Sequence, residues 1–153
     1  MDLAPDFKEL LAEFDRDGVE VVIVGGYAVA FHGRPRATKD IDLLLEGSDA
    51  NLARAARALA RFGAPPVVVS GVEHMGPTDV VFMGQPPLRV DFVRAIDGVD
   101  PAGIFARSVA GELDGIKIRV ISLDDLITNK RAAGRPQDTL DAEFLERVRS
   151  RRA

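Results

Sequence analysis

Asp40-Ile41-Asp42 sets two carboxylates two positions apart inside an otherwise apolar stretch. In a strand, residues i and i+2 point the same way, so both acids share one face while Ile41 and Leu43 turn to the other. Acidic residues are depleted from strands, and two on one face repel. A divalent cation is the usual reason to keep such a pair, and oxygen-only ligands suit Mg²⁺ or Mn²⁺ bridging to phosphate groups. The plainer alternative is that Asp40 only begins the strand at its solvated edge. Asp91 lies within Leu88-Arg89-Val90-Asp91-Phe92-Val93, where alternation turns Val90 and Phe92 one way and Asp91 the other. A carboxylate in so apolar a strand needs a partner. Either Arg89 or Arg94 pairs with it, or it shares a metal with Asp40 and Asp42.

Upstream, Val22-Ile23-Val24-Gly25-Gly26-Tyr27 reads as a strand entering a helix through a glycine pair. Backbone N–H groups at such a start can hold phosphate, and glycine lets the phosphate come close. A tight turn with no ligand fits the same glycines. The dinucleotide pattern is absent because Ala30 stands where a further glycine would be needed, and no Gly-Lys-Ser/Thr follows to make a phosphate loop. Downstream, Leu123, Leu126, Ile127 and Lys130 fall at helical spacing, so Lys130 belongs to the apolar stripe. It either snorkels to the rim or points into a cleft where an ammonium would meet phosphate oxygens. In the next helix Leu140, Phe144 and Val148 are expected to form the core stripe, with Asp138 and Asp141 beside it and Arg135 just before. Asp138 would orient Lys130, orient an acceptor group, or sit as an ordinary acid at a helix N-terminus. Arg147, Arg149, Arg151 and Arg152 make a basic tail, read as a solvated helix end or as a nucleic-acid contact. His32 follows the glycine turn as a core or ligand-side residue, and His74 carries no assignment.

The elements that must position these groups follow from the rest of the chain. With 153 residues, 46% hydrophobic and 29% charged, the composition is that of a single globular domain able to bury its own core. Lys+Arg 20 against Asp+Glu 24 gives a net charge of −4, which disfavours non-specific duplex DNA binding. There is no cysteine, so disulfides, thiolate metal sites and cysteine nucleophiles are excluded. No run approaches the roughly 18–20 apolar residues of a membrane span, and the acidic start Met1-Asp2-Leu3 lacks the layout of a signal peptide. A cytoplasmic location is the expectation. The pattern predicts a helix carrying Phe7, Leu10, Leu11 and Phe14 closed by Gly18, a strand over Val19–Val24, and a short helix over Tyr27–Phe31. A strand over Ile41–Leu45 and a Ser48-capped helix to Phe62 follow. Next come a loop around Pro65-Pro66 with short apolar runs at Val67–Val69 and Asp79–Met83, then a strand over Leu88–Val93. A short helix at Pro101–Arg107, a hairpin turning at Asp114-Gly115, and helices over Leu123–Ala133 and from Pro136 to about Arg149 complete it. The fold class is α/β (α+β), with a mixed central sheet flanked by helices and a helical C-terminus.

The glycine pair after an apolar strand, followed by Asp40-Ile41-Asp42-Leu43, resembles the signature of the DNA polymerase β-type nucleotidyltransferase superfamily. Arg36-Ala37-Thr38-Lys39-Asp40-Ile41-Asp42 is similar to the Arg-x-Thr-x-Asp-h-Asp form (h being apolar) of its small bacterial members, and Asp91 stands where that family has its third carboxylate. The segment from Leu126 to Asp141 resembles motifs of AbiEii-type toxin nucleotidyltransferases, with Gln137 in place of a family Lys. The likeness spans about residues 19–145. It implies one minimal nucleotidyltransferase domain over 1–153, with a core of about 19–121 and a helical segment at 122–150. It also implies transfer of a nucleoside monophosphate from a nucleoside triphosphate such as ATP to an acceptor hydroxyl. Two Mg²⁺ (or Mn²⁺) ions would be held by Asp40, Asp42 and Asp91, which are the catalytic carboxylates. Nucleotide contacts would come from Gly25, Gly26, Arg36, Thr38, Lys39, Lys130, Arg135 and Asp138. An RNA (tRNA among them) or protein acceptor is expected, with a toxin–antitoxin partnership in view and no membrane. The alternatives are a non-catalytic nucleotide- and metal-binding module, or a small-molecule (antibiotic) nucleotidyltransferase. The last would be expected to need an added helical domain for its acceptor.

Overall fold

The computed structural model describes residues 4–33, 40–85 and 88–152. Helix α1 (Pro5–Arg16) buries Phe7, Leu10, Leu11 and Phe14, the stripe its spacing predicts. The chain turns at Gly18, where φ is 67°, and enters β1 (Val21–Val24). Helix α2 (Gly25–Phe31) begins at the glycine pair itself. Strand β2 (Asp40–Leu45) leads to α3 (Asp49–Phe62), capped by the Ser48 side chain as expected. Then follow α4 (Pro66–Glu73), β3 (Val80–Gln85), β4 (Leu88–Val93) and α5 (Pro101–Arg107). The hairpin of β5 (Val109–Leu113) and β6 (Ile116–Val120) turns through Asp114 at φ 51° and Gly115 at φ 83°. Positive φ at both centres is the twist-compatible turn that Asp-Gly favours. Helices α6 (Leu123–Ala133) and α7 (Pro136–Arg152) close the fold.

The sheet order is β3-β4-β2-β1-β6-β5. Strand β2 runs antiparallel to β1 and parallel to β4, and β1 runs parallel to β6. The sheet is therefore mixed, and β2, the strand with the acid pair, is central. Its partners fix the register: Val24 lies opposite Asp42, and Asp42 lies beside Asp91. On the other face Ile41, Leu43, Val90 and Phe92 are buried, with Phe92 against Phe14 of α1 at a ring separation of 6.1 Å.

One buried polar side chain ties this frame together. Asn51, at the start of α3, accepts the Glu20 N–H at 2.8 Å and donates to the carbonyls of Glu20 at 3.0 Å and Glu46 at 2.8 Å. It bonds backbone groups just before β1 and just after β2, adding to the Glu46 N–H that already donates to the Glu20 carbonyl at 3.1 Å.

Two expectations change. The segment after Pro65 is a helix, not a loop with an apolar run. Pro66 occupies a first-turn position, where a missing N–H costs nothing. Val68 and Val72, at i and i+4, are buried, so packing outweighs the poor helix propensity of three successive valines. In α7 the buried face is Asp138, Asp141, Ala142 and Leu145, whereas Leu140 is 52% exposed and Phe144 and Val148 only border the core. The expected stripe is rotated because two carboxylates, not three apolar residues, take the inner positions. Among the described residues no helix is long and apolar enough to cross a membrane.

Candidate active site at the meeting of β1, β2 and β4

The glycine pair and the acid pair meet directly. Gly25 has φ 68°, and a Cβ built on it would lie 2.1 Å from Asp42 Oδ2. Backbone conformation and the close approach of that carboxylate each demand glycine. The turn at Gly25 is tight, and it places Asp42 at the mouth of α2. Gly26 continues as the second residue of that helix.

Asp42 carries the site's electrostatic signature. Burial, then the charges of Asp91 and Asp40, push its pKa up to about 6, against the opposing pull of Lys130 and Arg89. Three carboxylates therefore feel one another on one sheet face, as the spacing predicts. Asp91 is also claimed from another side: Arg89 Nε donates to its Oδ1 at 2.7 Å and Nη2 to its Oδ2 at 3.5 Å. Of the two arginines considered for it, Arg89 is the partner; Arg94 instead donates to the Met75 carbonyl at 2.9 Å.

Lys130 is buried, as its place on the stripe requires. Its ammonium donates to Asp138 Oδ1 at 3.2 Å and lies 3.5 Å from Asp141 Oδ2. Arg135 completes the cluster, its Nε donating to Asp138 Oδ2 at 2.7 Å and its backbone N–H to the same oxygen at 3.3 Å. Burial pushes the Asp138 carboxyl up, but the hydrogen bonds from Arg135 and Lys130 outweigh it and hold the group below the ordinary range. Asp138, 2% exposed, therefore orients Lys130 and Arg135; this is one of the roles foreseen for it. Gln137 donates to Asp141 Oδ1 at 3.0 Å, so the residue standing in the family lysine's place satisfies a buried acid.

Arg36, Thr38 and Lys39 lie outside the described residues. His32 is a core residue, 2% exposed, with Nε2 2.7 Å from the Ile121 carbonyl; burial lowers its pKa against the opposing pull of that carbonyl. His74 caps α4, its Nδ1 3.0 Å from the Ser70 carbonyl. The basic tail is docked rather than frayed: Arg149 bonds Asp124 at 2.9 Å, and Arg152 donates to the His32 carbonyl at 3.4 Å. Sequence reasoning missed the importance of Asp141 and of Arg89. The signal for Asp141 was present, since a lysine on an apolar stripe requires counter-charges and Asp138 and Asp141 are one helical turn apart.

Oxygen donors on one face, the pKa of one raised by burial and by its acidic neighbours, are the donor set that a hard divalent cation takes. Among the described residues no three acid or imidazole side chains already enclose a metal position. The donor type suits such an ion, whereas the placement would need Asp91 to leave Arg89 before it could share one.

A mixed sheet with a glycine turn and carboxylates on neighbouring central strands, backed by a helical C-terminal pair, is the minimal nucleotidyltransferase architecture. The chain belongs to the family described as nucleotidyl transferase of unknown function (DUF2204), whose model matches residues 4–152. No curated protein matches it. Among solved structures, the lincosamide antibiotic adenylyltransferase LnuA, bound to lincomycin, is similar at 17% identity and TM-score 0.62, covering 96% of this chain and 98% of that one. A putative nucleotidyltransferase from Thermotoga maritima matches at 17% identity and TM-score 0.57, covering 95% and 91%. The enzyme ANT(2")-Ia, in complex with adenylyl-2"-tobramycin, matches at 18% identity and TM-score 0.55, covering 96% and 97%. These likenesses show the fold.

Proposed function

We propose that this protein transfers a nucleoside monophosphate from a nucleoside triphosphate to the hydroxyl of an acceptor. The observation that carries the reading is that the Gly25 turn abuts Asp42, which repels Asp91 on the adjacent strand. The acceptor oxygen bonds to the α-phosphorus, the bond from that phosphorus to the bridging oxygen breaks, and pyrophosphate leaves; the hydroxyl proton passes to a carboxylate or to water. Asp40, Asp42 and Asp91 would hold Mg²⁺ or Mn²⁺, which when bound neutralises the triphosphate and acidifies the acceptor hydroxyl. Gly25 and Gly26 offer the backbone turn for phosphate. Lys130 and Arg135 supply positive potential toward Asp42, and Asp138 and Asp141 hold Lys130 in place. Arg36, Thr38 and Lys39 are the further nucleotide contacts that the family pattern implies.

For the acceptor, the expectation of an added helical domain loses its ground, since this fold covers 98% of the chain of a lincosamide adenylyltransferase. The nucleic-acid reading drew on the basic tail, of which Arg149 and Arg152 are committed to the protein's own Asp124 and His32. A small hydroxyl compound is therefore our reading, ahead of RNA, protein or an antitoxin-regulated target. The test is transfer of label from each nucleoside triphosphate, with Mg²⁺ or Mn²⁺, to the small-molecule, RNA and protein fractions of a cell extract. Asp91→Asn should lower transfer by about 10²-fold while leaving most nucleotide affinity. Mn²⁺ plus nucleotide should raise the melting temperature of the parent but not of an Asp40→Asn/Asp42→Asn variant. An equal rise in both would place the nucleotide elsewhere and overturn the site.

A further inference from the structure

The carboxylate row does not end at Asp91. Phe82 of β3 is the register partner of Asp91, as Asp91 is of Asp42, so Val24, Asp42, Asp91 and Phe82 form one line across four strands. Register partners project to the same face, so the Phe82 ring stands beside Asp91 at the strand spacing of about 4.8 Å. It is 57% exposed, unusual for a phenylalanine in a six-stranded sheet. Val80, on the same face, is 56% exposed. The Arg89 guanidinium lies 4.6 Å from the Phe82 ring centre while holding Asp91, so one arginine braces the aromatic ring and the carboxylate together. The next position along this face is Gly84, with φ 88° and a would-be Cβ 2.4 Å from the Leu88 carbonyl oxygen. That position carries no side chain of its own, and Arg89, paired across from it, is what lies over the ring on that side.

The two ends of the row have different partners. At the Val24 end lie the glycine turn and the fields of Lys130 and Arg135, which suit triphosphate. At the other end there is an exposed apolar ring braced by Arg89, which suits the face of a ring and not a triphosphate. We infer that Phe82, braced by Arg89 and flanked by Val80, is the platform on which the acceptor stacks. The acceptor's reacting hydroxyl is then carried directly on a ring, as in a sugar of a small glycoside. The single strand spacing between Phe82 and Asp91 sets this class: the ring lies on Phe82 while its own hydroxyl reaches the carboxylate row. The inference rests on the nucleotidyl-transfer reading and names its acceptor.

The experiment compares the parent, Phe82→Ala and Phe82→Tyr, with lincomycin and tobramycin as ring-hydroxyl probes. An RNA oligonucleotide ending in a free ribose and a serine peptide are the contrasting acceptors. Saturation-transfer NMR reads probe binding to the protein without metal, and label transfer from ATP with Mn²⁺ reads turnover. Phe82 is exposed, so both variants should fold as the parent does, which circular dichroism checks. The expected result is ring-probe binding that weakens by about fivefold to tenfold in Phe82→Ala, as loss of stacking on one aromatic commonly does. Binding should be kept in Phe82→Tyr, with ATP half-saturation unchanged in both. Ring-probe binding and transfer indifferent to Phe82 would overturn the platform alone. So would a loss confined to ATP affinity, which would make Phe82 a base-stacking residue, or transfer only to RNA or the serine peptide. Failure of the parent to transfer label to any acceptor would overturn the enzymatic reading and the platform with it.

Discussion

Replacing Asp42 by asparagine should stabilise the metal-free protein by an amount that grows as the pH rises from about 4 and levels off above about 6. In the folded chain the Asp42 carboxyl has a pKa of about 6 against an ordinary 3.8, through burial and the charges of Asp91 and Asp40. An acid whose pKa is raised by folding prefers to stay protonated in the folded state. Its contribution is therefore fully present below the ordinary value and is lost as the pH climbs through about 6. The gap of about 2 pH units corresponds to roughly 3 kcal/mol at 1.36 kcal/mol per unit. Asp42→Asn removes this titration and its repulsion of Asp40 and Asp91, and groups remote from the site cancel between the two proteins. The advantage of the variant should therefore grow by up to about 3 kcal/mol between pH 4 and pH 8, or about 6–12 °C in melting temperature for a domain of this size. Urea unfolding with chelator present, at half-unit steps of pH, measures it. Adding Mn²⁺ at pH 8 should close much of the gap, because a bound cation offsets the same repulsion only in the parent. A stability difference that is flat from pH 4 to pH 8 would refute the account, because it would mean that the three carboxylates do not share one field.

Two further perturbations test the surrounding frame. Lys130→Met should destabilise by about 3–5 kcal/mol, since it strands Asp138 and Asp141 without their cation; equilibrium unfolding reads this, and adding Asp141→Asn should recover part of the loss. Stability like the parent's would mean that Lys130 only lies along the surface. Gly25→Ala should cost about 1–3 kcal/mol from its positive φ alone, and should also weaken Mn²⁺ binding by calorimetry because the new methyl group displaces the Asp42 carboxylate.

The central elements were legible because each rested on a local rule. Alternation around Asp40-Ile41-Asp42 and around Asp91 named both strands and the face their acids share, and Gly25 and Asp114-Gly115 marked turns that require positive φ. What was not legible depended on partners distant in sequence. The segment Val67–Val72 is helical because Val68 and Val72 pack inward while Val67 faces out, which no window of the chain displays. The inner face of α7 is acidic because Lys130, on another helix, needs counter-charge; read by hydropathy alone, Leu140 belonged inside, yet it is exposed. Arg89 was weighed as a partner for Asp91, but its simultaneous hold on Phe82 needed the register of β3, which the chain reaches only through residues 86–87. Asn51 gave no signal at all, since its three bonds to the backbone at Glu20 and Glu46 exist only once β1 and β2 are paired.

The position of β2 between two register-locked neighbours sets which inherited changes this domain can survive. Its residues are matched one for one to β1 on one side and to β4 on the other. A single-codon deletion within 43–45 would force every residue ahead of it to the opposite face, turning Asp40 and Asp42 into the hydrocarbon layer and Ile41 out into the site. Point substitutions can be absorbed there by degrees, but a one-residue shift cannot. Length variation among related chains should therefore be confined to the connections outside this strand, and an alignment that needs a gap between Asp40 and Leu45 is misaligned.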